Sequence, residues 1–274
     1  MFEPLRRLFR ASPPLDRPRI PAGERTFVIG DIHGRLDLFQ ALASEIERED
    51  ERRGPARTTV ILLGDLIDRG PDSAGVIAKA RHWQAQRDVR ILMGNHEEMF
   101  LDSFERESVL RHFLKHGGRE TLISYGIDQK LLTESTVEEL REIIDTVVPQ
   151  DDRDFVAGFE STIEQGDYLF VHAGIDPSLP MEAQSARDMR WIREPFLTHE
   201  KPHSHVVVHG HTIVPEIVEK TNRIGIDTGA YRFGRLTALV LEGEDRAYIQ
   251  AIEPEGGGTI TFDYLAHSVG ETAR

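Results

Sequence analysis

Cysteine is absent from this chain of 274 residues. That removes disulfide scaffolds, thiolate zinc clusters, iron–sulfur sites and cysteine nucleophiles, so any chemistry must come from carboxylates, histidines, hydroxyls or a bound metal. Long apolar runs are missing too. No stretch approaches the roughly 18 residues that suggest a membrane span, and the N-terminus lacks the apolar core of a secretory signal, so a cytoplasmic protein is expected. Positive charge is in deficit: 33 Lys and Arg stand against 47 Asp and Glu, a formal charge of −14. Non-specific affinity for a nucleic-acid backbone comes from Lys and Arg displacing counterions. Nucleic acid is therefore not an expected partner, and an anionic substrate would need a local positive centre. The rest is ordinary. Hydrophobic residues at 39% and charged residues at 29% describe a globular chain of one or two domains, long enough to bury about 75% of its unfolded surface.

Residues 1–24 read as a basic, proline-containing N-terminal arm, with Arg6, Arg7, Arg10, Arg17 and Arg19 around Leu5, Leu8 and Phe9, and with Pro13, Pro14 and Pro18. A flexible terminus is the plain reading; a short basic helix touching a membrane surface or a partner is the other. From residue 25 one grammar recurs five times, a short apolar run ending in a polar, mostly ionisable cluster. Phe27-Val28-Ile29 precedes Gly30-Asp31-Ile32-His33-Gly34, and Val60-Ile61-Leu62-Leu63 precedes Gly64-Asp65-Leu66-Ile67-Asp68-Arg69-Gly70. Ile91-Leu92-Met93 precedes Gly94-Asn95-His96-Glu97, Tyr168 to Val171 precedes His172-Ala173-Gly174, and Val206 to Val208 precedes His209-Gly210-His211-Thr212. Such runs read as buried strands with a site gathered at their ends.

Leu38, Leu42 and Ile46, then Val76, Ala80 and Trp83 after Pro71, predict helices between the first three strands, which makes the fold α/β. Residues 98 to about 165 are helical in pattern and read as a cap inserted between two motif strands, most of its apolar residues serving packing. After Thr212 the texture predicts short antiparallel strands around Ile217-Val218, Ile224 to Ile226, Leu236 to Leu241 and Tyr248 to Ile252. The expected organisation is an arm (1–24), a catalytic domain (25–252) and a C-terminal tail (253–274).

Asp31 and His33, two residues apart at a strand end, can point to one side and form half a metal site. Asp65 and Asp68 come with Arg69, Asn95 adjoins His96, and His172 and His211 each follow a buried run. Oxygen and nitrogen ligands without sulfur suit manganese, iron or zinc. Two such ions ~3.5–4 Å apart can clamp a phosphoryl group and activate a bridging water. Singly, each cluster has a bland explanation: a capped turn, a strand exit, an ion-paired surface arginine. Asp72 and Ser73 read as helix-start residues and nothing more. Five clusters in one order, each after a predicted strand, do not reduce to that.

At these blocks the sequence resembles the metal-dependent phosphoprotein phosphatase family, within the calcineurin-like metallophosphoesterases. Gly30 to Gly34, Gly64 to Gly70 and Gly94 to Glu97 match its three signature blocks. His172-Ala173-Gly174, Trp191-Ile192-Arg193, Gly210-His211-Thr212 and Ile226 to Ala230 are similar to the bacterial and lambda-phage branch, as are Gly117-Gly118 and Ser124-Tyr125-Gly126 in the insertion. The resemblance implies a β-sandwich of two sheets with flanking helices and a helical cap, and two divalent ions, manganese first with iron or zinc as alternatives. It implies that Asp31 and His33 hold one ion, that Asp65 bridges, and that Asn95, His172 and His211 hold the other. His209 is then a strand-end or supporting residue. Arg69 and Arg193 would bind phosphate, and His96, oriented by Asp68, would protonate the leaving oxygen.

The residue before Gly94 is Met93, where the eukaryotic protein phosphatases carry a basic residue. The branch contains both protein phosphatases and symmetrical diadenosine tetraphosphate hydrolases. The expectation is a phosphomonoester hydrolase, a protein Ser/Thr phosphatase with phosphotyrosine as a further substrate, the partner being a phosphoprotein or phosphorylated small molecule. A dinucleoside polyphosphate hydrolase is the alternative. A nucleic-acid phosphodiesterase ranks behind both, since those enzymes tend to end their last motif in a Gly-x-His-x-His-type arrangement whereas here a histidine, His209, precedes the glycine; a non-catalytic metal-binding scaffold ranks behind as well, since His96, Asp68 and Arg69 are all present.

Overall fold

The computed structural model describes residues 17–266. Its elements in chain order are β1 (Glu24–Ile29), α1 (Leu36–Arg53), β2 (Arg57–Leu62), α2 (Ser73–Gln84), β3 (Val89–Ile91) and α3 (Asn95–Ser103). The insertion adds α4 (Glu107–Phe113), α5 (Arg119–Ser124), α6 (Gln129–Glu134), α7 (Val137–Val147) and α8 (Gln150–Ala157). There follow β4 (Ile163–Gln165), β5 (Tyr168–Phe170), α9 (Ala186–Trp191), β6 (Val206–His209), β7 (Val218–Glu219), β8 (Arg223–Gly225), α10 (Ala230–Phe233), β9 (Arg235–Glu242), β10 (Asp245–Ile252) and β11 (Thr261–Ala266). Four of the five apolar runs form strands over most of their length; of Ile91-Leu92-Met93 only Ile91 lies in β3, and Leu92 makes an isolated bridge to Glu160.

The strands form two mixed sheets, one in the order β11-β10-β9-β1-β2-β3 and the other β4-β5-β6-β8-β7. Within them β1, β2 and β3 run parallel, as do β5, β6 and β8. The continuity of the apolar runs follows from burial on both faces. Phe27, Ile29, Val60 and Leu62 pack under the helices, with Leu38, Leu42, Trp83, Phe113 and Ile144. The alternate residues Val28, Ile61 and Leu63 meet Tyr168, Phe170, Val206, Val208 and Ile224 in the seam between the sheets. The outer face of the smaller sheet, Leu169 and Val207, is covered by Met189 and Phe196. The insertion is helical through α8, and Leu110, Phe113, Leu114, Leu140 and Ile144 in it belong to the helix-side core. Asp72 caps α2, its side chain accepting the Gly75 amide at 2.8 Å.

Two boundaries depart from the sequence reading. Ile20 is buried in the sheet seam and its amide bonds to Gly243 O at 3.0 Å, so the end of the expected arm is part of the sandwich. Likewise β11, within the expected tail, pairs along β10 from Ala247 to Ile252. Most of its side chains are exposed, but Ile260, Phe262 and Tyr264 alternate with Thr261 and Asp263, a short period-two pattern that the expected tail overlooked. The basic residues Arg6, Arg7 and Arg10 lie outside the described residues. No helix among the described residues is long and apolar enough to cross a membrane.

One fully buried cation ties the first strand to its surroundings. Arg25 binds Glu242 on β9 (2.8 Å), Asp50 on α1 (2.6 Å) and the Gly54 carbonyl (3.1 Å). Its hydrogen bond lowers the Glu242 pKa; at Asp50 burial pulls upward, but bonds from Thr58, Arg25 and Arg87 outweigh it and lower the value. Carboxylates depressed in the folded state contribute stability above their unfolded pKa and lose it as pH falls through the folded one. Arg25→Ala is therefore expected to cost about 3 kcal/mol in urea unfolding at pH 7. The gap to wild type should narrow below about pH 4, and a gap independent of pH would refute the electrostatic account.

Candidate metal centre

Every cluster named from the sequence lies at the carboxyl end of a parallel strand, where the loops of open α/β sheets gather. Asp31 and His33 follow β1, Asp65 to Arg69 follow β2, Asn95 and His96 open α3 after β3, His172 follows β5 and His211 follows β6. All of these are buried except half-buried Arg69. The backbone there is strained: among the described residues, the non-glycines with positive φ are His33 (47°), Asp65 (50°), Asp68 (74°), Arg69 (71°) and His211 (62°). Each costs on the order of 1–3 kcal/mol and persists only where neighbours over-determine it.

Those neighbours are identifiable. The Glu97 carboxylate accepts the amides of Gly94 (3.0 Å), Asp65 (2.8 Å) and Leu66 (2.7 Å). The Asp65 carbonyl accepts the amides of Ile32 (3.1 Å) and His33 (2.9 Å), which lashes the β1 loop to the β2 loop. A Cβ on Gly94 would collide with Asp65 Oδ1, and one on Gly210 with Asp31 Oδ1, so glycine alone permits these approaches.

Asp65 sits at the centre. Its Oδ2 lies 3.6 Å from His33 Nε2 and 3.9 Å from His96 Nε2, and its Oδ1 lies 3.4 Å from His172 Nε2. Ligand atoms thus converge in two triads that share this carboxylate, His33-Asp65-His96 and Asp65-His172-His211. Tautomers are set from behind. His33 Nδ1 meets the Ile67 carbonyl at 2.8 Å and His172 Nδ1 the Leu63 carbonyl at 2.8 Å, so both donate there and turn Nε2 inward. His172 Nε2 and Asn95 Oδ1 face each other at 3.1 Å, two acceptors in the pose of ligands to one cation. His211 Nε2 is buried without a partner. The donor set is oxygen and imidazole nitrogen, and it fits two divalent cations bridged by Asp65. Burial, then the charges of Asp227 and Asp65, push Asp31 well above the usual carboxylate range, the mark of anions gathered for a cation. Burial, with His172 beside it, takes His211 down to about 2, so its imidazole stays neutral, the form that can bind a cation.

Arg69 enters this ground with Nη1 2.8 Å from His33 Nε2 and Nη2 2.9 Å from His96 Nε2, its guanidinium 4.8 Å from the Tyr231 ring. Arg193 stands apart and exposed on the loop after α9, close enough for its charge to bear on His211. His209 ends β6 with Nδ1 near its neighbour's carbonyl and is in neither triad.

His96 Nδ1 lies 2.6 Å from Asp68 Oδ2. Burial lowers the His96 pKa, but the Asp65 and Asp68 carboxylates outweigh it and the net shift is upward. Asp68 is itself anchored: its Oδ1 accepts the Thr121 hydroxyl at 2.6 Å, and its amide meets Ser73 Oγ (3.0 Å) and Thr121 Oγ1 (2.9 Å). Ser73 therefore does more than start a helix, and Thr121, 53 residues from Asp68 in the insertion, carries no local signal of its role. Glu97 makes only half of a capping box, accepting the Gly94 amide, because glycine at the N-cap has no side chain to complete the motif; no local pattern marks its role.

A family model described as calcineurin-like phosphoesterase matches residues 24–238. The chain is 26% identical over 262 residues to an asymmetrical bis(5'-nucleosyl)-tetraphosphatase of Bacillus velezensis, covering 86% of this chain and 97% of that protein. It is 38% identical over 78 residues to serine/threonine-protein phosphatase 1 of Salmonella typhimurium, covering 28% of this chain and 32% of that protein. A crystal structure of a cold-active protein-tyrosine phosphatase from a Shewanella species shares the fold with a TM-score of 0.55 at 16% identity, over 90% of this chain and 83% of that one.

Stripping metal from the centre should leave Asp31 and Asp65 buried with only Arg69 and the neighbouring imidazoles to offset their charge. The melting temperature is expected to fall on exhaustive chelation and to recover with manganese, followed by calorimetry. A melting curve indifferent to both would count against a metal centre here.

Proposed function

The chain belongs to the calcineurin-like phosphoesterase family, and from that premise we propose that it is a metal-dependent phosphomonoester hydrolase acting on phosphoserine and phosphothreonine in proteins. The supporting observation is the buried His96–Asp68 pair, held by Thr121 and Ser73. A serine alkoxide is too basic to depart without a proton, whereas a nucleoside phosphate leaves as a stable anion. A proton-donating imidazole so firmly oriented suits the first leaving group.

Asp31 and His33 would hold one cation and Asn95, His172 and His211 the other, with Asp65 between. When bound, two divalent ions, manganese first and iron or zinc as alternatives, polarise the phosphoryl oxygens and supply hydroxide at neutral pH. The guanidinium fork of Arg69 matches the non-bridging oxygens, and Arg193 adds a positive charge at the rim, which gives an anionic substrate its local positive centre despite the net −14. His96 gives its Nε2 proton to the departing oxygen while Asp68 keeps Nδ1 protonated and the ring fixed. Residues 25–252 are the catalytic unit on this reading, and a cytoplasmic setting accords with it.

A second reading, a dinucleoside polyphosphate hydrolase, is supported by the similarity that spans 97% of a bis(5'-nucleosyl)-tetraphosphatase. Rates on phosphoserine, phosphothreonine and phosphotyrosine peptides against diadenosine tetraphosphate separate the two, and a preference for the dinucleotide by orders of magnitude would favour the second.

His96→Asn is expected to slow phosphoserine hydrolysis by about 10²–10⁴-fold and para-nitrophenyl phosphate hydrolysis much less, with metal content unchanged. Asp68→Asn should follow the same pattern more weakly. Loss of metal, or equal slowing of both substrates, would make His96 a ligand instead. Arg69→Ala should weaken inhibition by free phosphate. If Arg193→Ala leaves turnover and phosphate inhibition at wild-type values, Arg193 has no part in binding.

A further inference from the structure

Asp227 follows β8 and has no place in the mechanism above, yet it is 1% exposed. Its Oδ1 accepts the Gly229 amide at 3.0 Å, and its carbonyl accepts the Val214 amide at 2.9 Å, which fixes the loop carrying His211 alongside. Its Oδ2 is buried with no hydrogen-bond partner among the described residues, as are His211 Nε2 and Thr212 Oγ1 on that same loop. Gly30 abuts the Ile226 carbonyl so closely that a Cβ would collide with it, which sets the Asp227 turn against the Gly30-Asp31 turn. Asp31 has as little compensation, its oxygens receiving only the His211 amide, at 3.2 and 3.0 Å.

A buried carboxylate oxygen without a donor is costly unless a cation is near. The six residues assigned above bring only two carboxylates to two divalent ions. We infer that Asp227 is a seventh protein group of the metal centre, its Oδ2 serving the cation on the Asp31 side directly or through a bound water. The inference rests on the dinuclear reading and gives a role to Asp227, which lies in the Ile226 to Ala230 block but was assigned none there and belongs to neither triad. Electrostatics agree: after burial, Asp227 is the largest influence raising Asp31.

The test is calorimetric titration of the chelator-stripped full chain with manganese, beside the melting temperature of the stripped protein. Asp227→Asn keeps an oxygen for the Gly229 amide and removes the charge; Asp227→Ser keeps a small acceptor and serves if the first variant folds poorly. Wild type should bind two ions, and the variant should bind one of them about 10–100-fold more weakly, with a stripped melting temperature no lower than wild type. Two ions bound as tightly as by wild type would overturn the inference, as would a lower stripped melting temperature with unchanged affinity, which marks a turn residue. A wild-type chain that takes up no manganese would instead overturn the dinuclear reading on which the inference stands.

Discussion

Everything at the centre depends on one carboxylate holding a loop it does not belong to. Glu97, at the start of α3, draws the amides of Gly94, Asp65 and Leu66 onto its two oxygens. With those amides satisfied, the β2 loop can leave its strand in a left-handed turn at Asp65 and offer the carboxylate between two groups of imidazoles. The β1 loop hangs from the same turn, because the Asp65 carbonyl receives the amides of Ile32 and His33. Buried amides need acceptors, and here one side chain serves three of them.

The strain gathered around that clamp has a pattern. Positive φ among non-glycine residues falls on His33, Asp65, Asp68, Arg69 and His211, all candidate site residues. Strain of this kind is tolerated where surrounding bonds exceed its cost, and Glu97, Thr121 and Ser73 supply those bonds. The insertion thus does two jobs. It fills the helix-side core, and through Thr121 and Gly117, whose carbonyl takes the Arg69 amide at 3.1 Å, it braces the loop after β2 from the side.

Much of this was legible in the chain itself. Strands buried on both faces announce themselves as uninterrupted apolar runs, so the five site-bearing strands and the α/β class could be read directly, and the ligand types stood at their ends. What could not be read is non-local or unpatterned. Thr121 meets Asp68 across 53 residues with no motif around it. The edge strand β11 is mostly exposed, and its alternation of Ile260, Phe262 and Tyr264 with Thr261 and Asp263 is too short to stand out from a tail. Asp227 was visible as part of a block, yet only the absence of a partner for Oδ2 distinguishes it from an ordinary turn aspartate. Ser73 looked complete as a helix-start residue because its side chain works outside α2, accepting the Asp68 amide and meeting the Thr121 hydroxyl of the insertion.

The two parallel strand sets belong to different sheets, and the candidate ligands are divided between them. Asp31, His33, Asp65 and Asn95 come from the larger sheet, His172 and His211 from the smaller, and 180 residues separate His211 from Asp31. Contacts of such long sequence separation form late, after the loop-closure entropy between them has been met. During synthesis, a nascent chain that has emerged only as far as the insertion carries four of the candidate ligands on one half-formed face and can neither assemble the pair of triads nor close the seam. The centre comes into being only when both sheets have docked, so catalytic competence would itself report that folding is complete.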